Sequence, residues 1–84
     1  MALLDLDPPD RPRAELAMVE AIRQQQEMGA RPELGRSYAS YAQLLKAFGE
    51  VDRAGTCLVT AISMFRELNM AWDLERAERA LQTL

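Results

Sequence analysis

The only thiol of the chain, Cys57, lies between Thr56 and Leu58 with no second cysteine near it. A reactive or metal-bound thiolate needs an electropositive neighbour or a partner thiol at short spacing. Cys57 therefore reads as a packing residue. The chain contains no His, which removes Ser-His-Asp and Cys-His arrangements together with the commonest transition-metal ligand. Asp5, Asp7 and Asp10 bring carboxylates together near the start, yet a calcium loop needs more oxygen ligands at fixed spacing and a turn glycine. Gly29, Gly35, Gly49 and Gly55 never cluster into a phosphate-binding loop. These residues imply no enzyme, no catalytic or metal site, no cofactor and no small-molecule substrate.

Charge narrows the partners. Ten basic against thirteen acidic residues give a net charge of −3, the wrong sign for neutralising phosphates, so nucleic acid is disfavoured. The stretch from Leu44 to Ala54, with Gly49 at its middle, has the outline of a DNA-binding helix-turn-helix. Its second helix, however, offers only Arg53 before an apolar run. No apolar stretch approaches a bilayer span, and the first ten residues carry aspartates where a secretory signal carries lysine or arginine. The expectation is a cytoplasmic protein. Nine of the ten basic residues are Arg, a bias in keeping with a bacterial source.

What would position any functional side chain is a repeat of forty residues. Sliding 14–44 onto 54–84 leaves eight of thirty-one positions identical without a gap, among them Val19/Val59, Ala21/Ala61, Ile22/Ile62, Leu34/Leu74 and Arg36/Arg76. Within each copy apolar residues recur at three and four, as in Ala54, Leu58, Ala61, Ile62, Phe65 and Leu68 or in Leu34, Tyr38, Tyr41, Ala42, Leu45 and Phe48. Gly29, Gly49 and Asn69, residue types that enter the left-handed region easily, stand where these stripes stop. Pro32 fits a first helical turn, while Pro8, Pro9 and Pro12 predict an extended leader to about residue 11. The spacing thus predicts an acidic leader over 1–11 and one helical domain over 12–84, with helices near 12–28, 32–48, 51–68 and 71–83. Gly55, inside the third helix, costs roughly 1 kcal/mol relative to Ala; it marks either a close backbone approach or plain tolerance.

Gly35 to Phe65 resembles a tetratricopeptide unit, a pair of antiparallel helices. The likeness rests on Tyr38, Tyr41-Ala42, Leu45, Gly49, Ala54, Leu58 and Ala61. The period of forty, and the run from Phe65 to Met70 followed by Trp72 to Glu78, are similar to the repeat tails of bacterial signalling ATPases and adenylate cyclases. The resemblance implies an all-α fold of about four helices, antiparallel hairpins stacked as a short right-handed superhelix. It also implies a non-catalytic adaptor or scaffold that binds another protein in a groove lined by the first helices of its units. The alternatives are a structural homo-oligomerisation element or a regulatory tail of a larger protein.

Two sets of surface residues follow. Counting around the second helix places Arg36, Gln43 and Lys46 away from the Tyr38/Ala42/Leu45 stripe, and the forty-residue shift carries that face to Arg76 and Arg79. This basic and polar face suits an acidic ligand segment. A stack with one whole unit also leaves its ends uncovered, namely Leu16 and Val19 on the first helix and Trp72, Leu81 and Leu84 on the last. Association with another copy is expected there, with Leu3, Leu4 and Leu6 as a competing cover for one end.

Overall fold

A computed structural model of the chain describes the backbone over residues 7–84 and side chains from residue 13 onward. Four α-helices fill it: α1 Asp7–Met28, α2 Arg31–Ala47, α3 Val51–Glu67 and α4 Ala71–Gln82, with no strand among the described residues. The last three begin within a residue of their expected starts. The first does not, since α1 begins at Asp7 and runs through the segment expected to be an extended leader. Its prolines explain how. Pro8 and Pro9 fall in the first turn, where backbone N–H groups have no helical acceptor, so only Pro12 forfeits a helical hydrogen bond. Asp5 and the Leu3, Leu4 and Leu6 cover lie outside the described residues.

The three connections are copies of one another. Gly29, Gly49 and Asn69 adopt φ of 72°, 83° and 58°, twenty residues apart. Each closes the helix before it with the same pair of bonds. In the first, Gly29 N–H donates to the Gln26 carbonyl at 3.3 Å and Ala30 N–H to the Gln25 carbonyl at 3.0 Å. In the second, Gly49 donates to Lys46 and Glu50 to Leu45, both at 2.9 Å, and in the third Asn69 donates to Arg66 at 3.3 Å and Met70 to Phe65 at 2.9 Å. This is the Schellman closure, in which a left-handed residue lets the chain reverse while the orphan carbonyls of the last turn stay bonded. The residue after it also opens the next helix, because the carbonyls of Ala30, Glu50 and Met70 accept from Leu34, Ala54 and Leu74.

Such tight turns force each helix back along its neighbour. Cross-helix hydrogen bonds tie each helix to the next: Ser37 Oγ to Gln25 Oε1 at 2.7 Å between α1 and α2, Arg53 to the Tyr41 hydroxyl at 2.8 Å between α2 and α3, and Arg66 to Glu78 at 3.3 Å between α3 and α4. Ion pairs also link alternate helices, Arg53 to Glu15 between α3 and α1 at 3.5 Å and Arg36 to Asp73 between α2 and α4 at 3.4 Å. The helices therefore form two layers, α1 with α3 and α2 with α4.

The core lies around α3, whose Ala54, Leu58, Ala61, Ile62, Met64 and Phe65 are buried against Leu34, Tyr41, Ala42 and Leu45 of α2, Ile22 of α1 and Ala77 of α4. Burying such side chains is worth about 1.5–3 kcal/mol for each large one, and the fully buried Ala42, Ala54 and Ala61 keep the helix axes near enough for that contact. The close approach between α2 and α3 occurs at Gly35. A Cβ there would stand 2.7 Å from Cε1 of Phe65. Gly55 resolves to tolerance, for its Cβ would meet only Leu84 Cδ1 at 3.6 Å and Leu81 Cδ1 at 4.0 Å, ordinary contact distances.

Those same contacts correct one expectation. Leu81 and Leu84 are not an uncovered end; they are partly buried and pack on the core beside Gly55. The outward face of α4 is instead polar, with Glu75, Arg79 and Gln82 exposed and Arg79 bonded to Glu75 at 3.1 Å.

Candidate ligand groove between the second and fourth helices

Because α2 and α4 lie side by side with α3 behind them, the space between them forms a groove of about 350 Å³. Its walls are Arg36, Ala39, Ser40 and Gln43 from α2 and Trp72, Asp73, Arg76, Ala77 and Ala80 from α4, and its floor is Leu58 and Phe65. Small residues at 39, 40, 77 and 80 hold the walls back, as a helix spacing of three and four on facing stripes requires.

Of the five residues expected on the basic face, three meet here: Arg36, Gln43 and Arg76. Lys46 and Arg79 do not line the groove. Lys46 sits in the last turn of α2, where its charge complements the helix carbonyls, and Arg79 is turned toward Glu75. Trp72, expected at an open end, is placed instead on the groove wall, 67% exposed, with the Arg76 guanidinium stacked 4.7 Å from its ring centroid. The reason is its place in the first turn of α4, opposite Arg36 across the groove. Leu16 and Val19 are exposed on α1, away from this site.

The groove carries two guanidinium groups and one carboxylate. Arg36 is more than half exposed and donates to Asp73, whose side chain is largely covered, whereas Arg76 has no ion-pair partner among the described residues and is held by the indole face. Guanidinium groups fixed in this way recognise carboxylates through paired hydrogen bonds. Hydrogen bonding, stacking and apolar contact are what this arrangement offers. Asp73, Ala77 and Ala80 were not singled out by sequence, although the forty-residue shift applied to Glu33 and Ser37 to Ser40 points to their stretch of α4.

Other charged groups lie elsewhere. On α1, the hydrogen bond from Arg23 holds the Glu20 carboxyl below its ordinary range. Burial pushes the Cys57 thiol up, with Arg53 opposing it. Among the described residues no three His, Cys, Asp or Glu side chains gather as metal ligands, and no helix is long and apolar enough to cross a membrane. A scan against family models matches none, and searches of curated proteins and of solved structures return no significant match.

Proposed function

We propose that this chain is a non-catalytic, tetratricopeptide-like interaction module of the bacterial cytoplasm, which holds a segment of a partner protein in the groove between α2 and α4. The observation that carries this reading is the juxtaposition of Arg36, Gln43, Trp72 and Arg76 around an apolar floor of Leu58 and Phe65. An exposed aromatic beside arginines over an apolar floor is the make-up of residues that dominate protein recognition. A groove of this size between two helices has room for a few side chains of an extended or helical segment. The two arginines favour a segment that bears Asp or Glu beside an apolar residue.

The chain's single Trp stands in the groove and reports occupancy directly. Fluorescence titration against a set of short peptides, acidic-apolar, basic-apolar and polar, is expected to shift Trp72 emission with the first set. Ser40→Trp, which fills the groove from an exposed position, is expected to abolish binding of labelled peptide measured by anisotropy while leaving the melting temperature in place. Peptide binding of equal strength to the Ser40→Trp protein would rule out this groove as the site.

A further inference from the structure

The two ends of the stack differ in chemistry, and the difference points to a second copy of this chain at one of them. On α1 the exposed residues Arg13, Leu16, Ala17, Glu20, Arg23 and Glu27 fall on one face at spacings of three and four. Leu16 is 70% exposed and Val19, on its flank, 48%, so an apolar patch lies on this face between Arg13 on one side and Glu20, Arg23 and Glu27 on the other. The outward face of α4 offers Glu75, Arg79 and Gln82. Head-to-tail stacking would press Leu16 and Val19 onto those polar side chains and strip the Glu75–Arg79 ion pair of water.

We propose that two copies pair through α1, antiparallel about a two-fold axis that passes between Leu16 and Ala17. In that register Leu16 of each copy covers Ala17 of the other, and residue 13 stands opposite residue 20. Charge then complements itself twice. Arg13 has no ion-pair partner among the described residues, while Glu20, Arg23 and Glu27 form a chain of ion pairs with one negative charge in excess. The guanidinium of Arg13 from the second copy meets that excess at Glu20, and the symmetry repeats the contact on the other side. Pairing through α1 leaves the layer of α2 and α4 open on both copies. The dimer therefore presents two grooves.

Sedimentation equilibrium of the full chain between about 1 and 100 μM tests the proposal. The expected result is a mass twice the 9.5 kDa of the chain, reduced to that of one chain by Leu16→Glu with helical circular dichroism retained. Arg13→Glu and Glu20→Arg are each expected to raise the dissociation constant about tenfold, the equivalent of two exposed ion pairs. Arg13→Glu combined with Glu20→Arg is expected to restore it, since the swapped charges meet again only if residues 13 and 20 face each other. Arg79→Glu is expected to change nothing. A monomer at every concentration, a dimer that survives Leu16→Glu, a dimer lost with Arg79→Glu, or a charge swap that fails to restore pairing would each overturn it.

Discussion

Two alanine substitutions that look alike in sequence have opposite expected effects. Gly35 and Gly55 both lie inside helices, and replacing Gly by Ala there gains about 1 kcal/mol of helix propensity. At Gly55 the new methyl lands 3.6 Å from Leu84 and displaces nothing, so the full gain remains. At Gly35 it lands 2.7 Å from Cε1 and 3.2 Å from Cδ1 of Phe65. The ring must retreat by about 0.8 Å to reach the ~3.5 Å at which carbon contacts become favourable. Phe65 is 1% exposed and packs in the core with Leu45 and Leu58, so the ring can move only by disturbing those contacts, and overpacking of this kind costs about 1–3 kcal/mol. Setting the propensity gain against the middle of that range leaves Gly35→Ala destabilised by about 1 kcal/mol. For a domain of this size each kcal/mol moves the melting temperature by about 4–8 °C. Gly55→Ala should therefore melt higher than the parent, Gly35→Ala lower, and the two should stand roughly 8–16 °C apart. The cause is isolated by a double-mutant cycle with Phe65→Leu, which frees the space beside residue 35 and should show a coupling of about 1 kcal/mol. If Gly35→Ala melts as high as Gly55→Ala, or if the cycle shows no coupling, the packing of α2 against α3 is misplaced.

Two further outcomes are expected. Ala42→Phe and Ala61→Phe insert rings at fully buried helix contacts and should each lower stability by about 1–3 kcal/mol in urea melts; an unchanged midpoint for either would exclude that residue from the core. The Cys57 thiol is pushed above its ordinary 9.0 by burial, so the folded chain holds its proton more tightly than the unfolded one. The stabilisation this gives is fully present below the unfolded value and is lost as pH rises through the folded value. Urea melts at pH 7 and pH 10 should thus lose less stability in Cys57→Ala than in the parent, and equal losses would refute the assignment.

Helix number, order and turns were legible in the sequence because Gly29, Gly49 and Asn69 break an apolar period of three and four at regular intervals. Periodicity says which face of a helix is apolar, but a helix in two layers has two neighbours and the sequence does not say which of them a residue meets. For that reason Trp72 read as an uncovered end and proved to be a groove wall, and Leu81 and Leu84 read as exposed and proved to lie against Gly55. Arg36 and Gln43 are legible from the helical period of α2, and Arg76 because a forty-residue shift preserves that face. Lys46 and Arg79 share the sign of charge but stand beyond the rim. Gly35 was passed over, since the ring that demands it is Phe65, thirty positions on and in another helix. Three prolines hid the start of α1, whose first turn tolerates two of them.

The way the three turns are closed also governs how the chain folds. Each is completed by hydrogen bonds that span no more than six residues, and each helix packs chiefly on the one before or after it in sequence, α2 on α3 above all. Little loop entropy has to be surrendered before contacts form, which places the chain among fast, low-contact-order folders. The α2–α3 hairpin is the natural nucleus. Helices at the two ends add to it and detach from it as units, so amide exchange should be quickest in α1 and α4, which among the described side chains bury only Ile22 and Ala77 respectively. A segment bound between α2 and α4 would slow exchange in α4 without touching α1. Occupancy of the groove would then be written in the protection of one end of the molecule and absent from the other.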